Sequence, residues 1–182
     1  TCLANLGRRA EATALLRAEL AACERELSPT HRLSLLLLSA LAYVNGRDGS
    51  DDGLAISREV LDRASHVLPP DHLDMALYEN NLASALMERG QAREAQPHLA
   101  RAVAVWRRRF GDGHPHSLVA LNNLGYLCHV AGDLVESRRC YERALAGMEA
   151  QPGTDMAAQI LGTRANLGAA LLVAGQAAET AA

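Results

Sequence analysis

Apolar residues recur along the chain at intervals of three and four. Leu118, Leu121, Leu124, Cys128 and Ala131 form one such stripe, the spacing of a single face of an α-helix. Gly132 follows, and then Asp133 and Glu136 stand as N-cap and capping-box partner of a second helix whose apolar face continues through Tyr141, Ala144, Leu145 and Met148. The stretch Gly111-Asp112-Gly113-His114-Pro115 separates this pair from the one before it, with Pro115 suited to the first turn of the next helix. The same reading predicts first helices at about 31–45, 72–89, 115–131 and 155–174, and second helices at about 8–27, 52–67, 91–110 and 133–150. Residues 1–6 read as the tail of a first helix and 176–182 as the opening of a second. Asn45 to Asp52 reads as a joint about six residues longer than the others.

The pattern is also repetitive. Asn80-Asn81-Leu82-Ala83, leading to Gly90, returns 42 residues later as Asn122-Asn123-Leu124-Gly125, leading to Gly132. It returns again after 43 residues as Ala165-Asn166-Leu167-Gly168, leading to Gly175, with weaker echoes ending at Gly46 and Gly7. Each of these five glycines is expected to close a first helix in the left-handed conformation. A period in this range marks a solenoid of stacked supersecondary units. The expected fold is therefore all-α, a right-handed solenoid of antiparallel helix pairs forming a single array over 1–182. It divides into a partial repeat at 1–29, repeats at about 30–70, 71–113 and 114–153, and a partial repeat at 154–182. Solenoids normally cap their terminal repeats, so the open ends are expected to belong to a fragment of a longer protein.

Composition narrows the chemistry. The 34 Ala and 30 Leu among 182 residues favour helix, and Val, Ile and Thr together number only 17. There are 18 Arg and no Lys, which excludes P-loop, Schiff-base and Ser-Lys chemistry. The Arg-only, Ala-rich vocabulary fits a GC-rich bacterial genome. A formal net charge of −3 offers no electrostatic case for direct nucleic-acid or membrane binding. The longest apolar run, from Leu35 through Ala42, is far below the roughly 18–20 residues that cross a bilayer. Cys2, Cys23, Cys128 and Cys140 form no C-x-x-C pair, and they read as reduced thiols of a cytoplasmic protein.

The units resemble the tetratricopeptide repeat, specifically its 42-residue kinesin-light-chain variety. Leu124-Gly125-x-x-Cys128, Gly132, Ser137, Tyr141 and Ala144 follow that family's order of large, small, large, turn glycine, small, aromatic, small. Leu82-Ala83-x-x-Leu86, Gly90, Ala95, Leu99 and Ala102 repeat the order with aliphatics, and Phe110-Gly111-Asp112-Gly113-His114-Pro115 is similar to the loop that joins its repeats. The likeness covers residues 72–175 most fully. Small residues at these places imply close helix approach, with Ala83, Gly125 and Gly168 facing Ala95, Ala102, Ser137 and Ala144.

The resemblance further implies a concave face lined by first helices, on which an Asn two positions before the small residue bonds the main chain of a bound peptide. Those residues are Asn81, Asn123 and Asn166. An amide offers two donors and an acceptor, so a row of them can hold an extended backbone irrespective of its sequence. Asn80, Asn122, Ser84, Met87, Tyr126 and His129 share that face by the same spacing. Such an Asn can equally bond its own surroundings, although Asn is a mediocre helix former and its repetition favours a role for the amide. Leu37 takes the matching position in the preceding repeat, where Leu33, Leu37, Ala40 and Val44 are expected to form an apolar floor.

The remaining candidates have plain roles. His31, His72 and His114 recur once per repeat, too far apart to share one ion, and each is placed to bond local backbone at a helix start. Arg107-Arg108-Arg109 complements a helix C-terminus, and Trp106 falls on an apolar stripe. The expected function is a non-catalytic peptide- or protein-binding scaffold, with no metal and no cofactor, serving as the sensor or interaction segment of a larger bacterial regulatory protein. Its partner is a peptide or protein segment, or another domain of the same parent. The alternative is a structural array that self-associates into homo-oligomers through its end faces with no ligand on its concave side.

Overall fold

The computed structural model describes residues 8–46, 51–151 and 156–180. Among these the regular elements are all helices: α1 (Arg9–Glu26), α2 (Arg32–Gly46), α3 (Asp51–Ser65), α4 (Leu73–Glu88), α5 (Ala92–Phe110), α6 (Pro115–Val130), α7 (Leu134–Glu149) and α8 (Ala157–Thr180). The chain divides into two compact units, Thr1–Gln91 with α1 to α4 and Ala92–Ala182 with α5 to α8. Within each, helices consecutive in sequence pack on one another, and the alternate helices α2 and α4, or α6 and α8, also touch.

Three helices start by the same device. His31 Nδ1 accepts the backbone N–H of Leu33 at 3.3 Å, His72 Nδ1 that of Asp74 at 3.1 Å, and His114 Nδ1 that of His116 at 3.2 Å. Each imidazole thus satisfies one of the N–H groups that a helix N-terminus leaves open. Ser34 and Ser117 reinforce two of these starts by donating to the carbonyls of Ser28 and Gly111, at 2.7 and 3.1 Å. Around α6 the linker is packed, with Phe110 stacked on His114 at 4.1 Å and Trp106 on His116 at 5.3 Å. Arg107 and Arg143 both pair with Asp112, so Arg107 fastens the linker as well as facing the helix dipole.

Two turn glycines behave as expected. Gly90 and Gly132 have φ of 70° and 84°, and the following residues Gln91 and Asp133 donate to the carbonyls of Leu86 and Cys128, both at 2.9 Å. These are Schellman closures. Gly7 lies outside the described residues. Gly46 and Gly175 depart from the expectation, because both are helical residues of α2 and α8. The Ala-rich stretch after Gly175 carries α8 onward instead of turning, at a cost for the glycine of about 1 kcal/mol.

Gly46 was misplaced by register. Gly90 and Gly132 stand eighteen positions after the capping histidines His72 and His114, and the matching position after His31 is 49, outside the described residues. Gly46 instead ends α2 against Gly53 of α3, and close approach requires the glycine at 53, where a Cβ would collide with the Gly46 Cα and lie 3.0 Å from the carbonyl oxygen of Ala42; a Cβ on Gly46 itself would meet only an ordinary contact at 3.9 Å. The long loop expected from Asn45 to Asp52 is correspondingly absent, since both residues are helical and only 47–50 lie between α2 and α3.

In the first unit Leu20, Leu35, Leu38, Leu41, Val60, Ala64, Met75 and Tyr78 form a buried cluster. In the second, Leu118, Leu121, Cys140, Ala144, Met148 and Met156 do so. Trp106 is buried as expected, and so are Cys128 and Cys140, both free thiols. Gly125 is required by close approach, because a Cβ there would sit 2.8 Å from the ring of Tyr141 and 3.2 Å from Cβ of Cys140. Gly168, expected to play the same part, is exposed with nothing within 4 Å of such a Cβ. No described helix packs on that side of α8. Asp133 caps α7 by accepting the N–H of Glu136 at 3.1 Å, but the box is only half made. The Glu136 carboxylate turns instead toward Arg139 and the Cys140 thiol.

Candidate functional site

Counting from the capping histidines aligns the helix faces. Asn81 and Asn123 stand nine positions after His72 and His114, which makes Ala40, and not Leu37, their counterpart on α2. Leu37 packs against the buried cluster of the first unit and Val44 is fully buried, so the expected apolar floor does not form. The residues at twelve positions are Tyr43, Ser84 and Tyr126. Tyr43 was therefore missed, hidden by the three-residue slip that Gly46 introduced.

In the first unit Ser39, Ala42, Tyr43 and Gly46 of α2, Ser57 of α3, and Asn81, Ser84, Ala85 and Glu88 of α4 line an open pocket of about 170 Å³. Asn81 is half-buried, and its Nδ2 donates to Ser39 Oγ on the neighbouring helix at 3.2 Å. Ser57 is internally satisfied through the carbonyl of Gly53 at 2.9 Å. Elsewhere on the same two helices Arg32 grips Asp74 in two hydrogen bonds of 2.7 and 3.4 Å, tying the starts of α2 and α4. That hydrogen bond, and then the charge of Asp74, raises the guanidinium pKa further. Asn80 and Met87 are also half-buried on α4, and Asn80 Oδ1 is buried with no hydrogen-bond partner.

In the second unit Asn166 Nδ2 on α8 donates to Asn122 Oδ1 on α6 at 3.3 Å, and Asn122 Nδ2 donates to Asn123 Oδ1 at 3.4 Å. All three amides are half-buried. Tyr126 is exposed beyond them, while the Nδ1 of half-buried His129 is buried with no partner. The three buried phenol or thiol groups near these helices are held neutral. Desolvation pushes Tyr78, Tyr141 and Cys140 up to about 12. Among the described residues no group of three or more His, Cys, Asp or Glu is disposed around a possible ion.

Residues 74–150 match the family model described as tetratricopeptide repeat. Those residues are tetratricopeptide repeats. The whole fold agrees, since a kinesin-light-chain structure from Podosopora anserina with nearly identical TPR-like repeats covers 97% of this chain and 84% of its own, at a TM-score of 0.79 and 22% identity. BtubC (BKLC) from P. vanneervenii covers 95% of this chain and 69% of its own, at a TM-score of 0.82 and 24% identity. The protein thus has the α-solenoid fold of kinesin-light-chain-like repeats. In sequence it is also 24% identical, over 119 residues, to a clustered mitochondria protein homolog of Emericella nidulans. That stretch is 65% of this chain and 9% of the other's length.

Helix α8 lies beyond the residues that the repeat model matches. Over Ala157–Gly175 this helix reaches a mean hydropathy of 1.2, long and apolar enough to span a bilayer by length and composition, contrary to the sequence expectation. In this structure it packs on α6 and α7, buries Thr163 and Ala170, and pairs Arg164 with Glu149 at 2.8 Å.

Proposed function

We propose that this array is a non-catalytic scaffold that holds an extended peptide or protein segment along its first helices. Asn81, Asn123 and Asn166 would supply main-chain contacts, with Asn80, Asn122, Ser84, Met87, Tyr126 and His129 beside them. The carrying observation is Asn81 in the wall of the first unit's pocket. One of its amide donors goes to Ser39, which leaves its other N–H and its Oδ1 for a ligand backbone. The setting would be the interaction or sensor segment of a larger cytoplasmic bacterial regulatory protein, the bound segment coming from another protein or from a different domain of the same parent. Binding to an array of capped synthetic peptides tests this reading. The chain should retain a subset of peptides that Asn81→Ala with Asn123→Ala releases, and uniform failure to bind refutes it.

A second reading is favoured by α8. Leu161 and Leu172 are each 70% exposed, and only 11% of the apolar window is buried. A face of that kind fits self-association through the end of the array. Sedimentation velocity separates the two: association abolished by Leu161→Glu with Leu172→Glu, together with no peptide binding, supports the structural reading.

A further inference from the structure

We propose that the pocket of the first unit selects a basic side chain, Arg or Lys, on the segment that α4 holds; this rests on the peptide-binding reading. A volume of about 170 Å³ falls below the roughly 300–1,000 Å³ of cofactor and drug-sized sites and suits a single side chain. The walls are small: Ala42, Gly46, Ser57 and Ala85 give an alkyl stem somewhere to lie without obstructing it. Two features at the same pocket address a cation. Tyr43, 52% exposed and itself engaged within the fold, gives the pocket an aromatic wall, and Glu88 is an exposed carboxylate that makes no hydrogen bond or ion pair among the described residues. The two buried acidic residues of α4 differ from it, since Asp74 is held by Arg32 and Glu79 is engaged within the fold.

Spacing connects this carboxylate to the main-chain contacts. Asn81, Ser84, Ala85 and Glu88 lie on one face of α4. At about 1.5 Å of rise per helical residue, Asn81 and Glu88 are separated by roughly 10 Å, about the reach of three residues of extended chain. A segment whose backbone bonds Asn81 therefore carries the side chain two or three residues away to Glu88. An unpaired carboxylate in the wall of such a pocket attracts a guanidinium or ammonium and repels an acidic side chain.

The test uses the full chain and three matched arrays of capped decapeptides, in which one central position is Arg, Gln or Glu and the flanking positions are randomised neutral residues. Peptides retained from the Arg array are then resynthesised with Gln and their affinities compared by fluorescence anisotropy. Arg should be favoured over Gln by about five- to tenfold. Glu88→Gln should shrink that ratio to near one, and Glu88→Arg should invert the preference toward the Glu array. Peptides that bind equally well with Arg, Gln or Glu, or an Arg preference that survives Glu88→Gln, overturn the basic-residue assignment while leaving peptide binding standing. Silence on all three arrays overturns both.

Discussion

Asn166 donates to Asn122 at 3.3 Å, and one repeat bond of the same kind joins Asn81 to Ser39 in the other unit. Asn81, nine positions after the capping His72, reaches Ser39, eight positions after His31, and Asn122 likewise stands eight positions after His114. The amides are thus staples between neighbouring helices before any ligand arrives. Asn166→Ala and Asn81→Ala should each lower the free energy of unfolding by about 0.5–1.5 kcal/mol, the usual worth of such a bond. Urea titration measures it, and a loss below about 0.3 kcal/mol for both would deny the stapling role.

Gly125 and Gly168 occupy matching places in sequence and should respond oppositely to alanine. At Gly125 the new methyl lands 2.8 Å from the Tyr141 ring, and overpacking of about 1–3 kcal/mol outweighs the roughly 1 kcal/mol gained in helix propensity. At Gly168 there is open space, so alanine should stabilise by up to about 1 kcal/mol. Thermal melts of the two single variants decide the matter.

Acidification should loosen the start of α6. Burial, and then the nearby His116, hold the His114 pKa below its ordinary 6.5, and a proton on Nδ1 removes the lone pair that accepts the His116 N–H. The unfolded chain takes up that proton first, so the contribution is complete above about pH 6.5 and is lost as pH falls through the lower folded value. The cap is worth at most about 1 kcal/mol. Denaturation midpoints at pH 7.5 and 5.5 should differ more in the wild type than in His114→Asn, which keeps an uncharged acceptor.

Thiol labelling should sort the cysteines by burial. Cys140, pushed up to about 12, and Cys128, also raised by desolvation, are both buried and should resist iodoacetamide at pH 8 in the native protein. Cys23 is only half-buried and should react before either of them, while Cys2 lies outside the described residues. Rapid native labelling of Cys140 would show that α6 and α7 separate far more often than their packing allows.

The helix pairs were legible because their signals are local and redundant. Gly90 and Gly132 mark real turns, Pro115 opens α6, and Trp106 and Tyr141 are core residues, all readable from spacing alone. The first unit was harder because Asn45 to Gly53 contains three glycines, and the one chosen as a turn proved to be a helix contact. Choosing Gly46 displaced every position on α2 by three and concealed Tyr43. The signal that fixes the register, an imidazole two residues before the N–H it caps, was present at His31, but its role appears only when the bond is seen. Gly168 failed for a different reason. Its sequence is that of a packed glycine, while its surroundings depend on what lies across from α8, which no local pattern encodes.

Three helices that begin with a histidine acceptor measure their registers from the front, so the joints behind them are free to drift in length. The glycine spacing varies along the chain while the amides still meet their partners at 3.2 and 3.3 Å. A peptide tag or extra loop spliced between α2 and α3 should consequently leave Asn81 bonded to Ser39, whereas one residue inserted between His72 and Asn81 would rotate that amide by about 100° away from its partner.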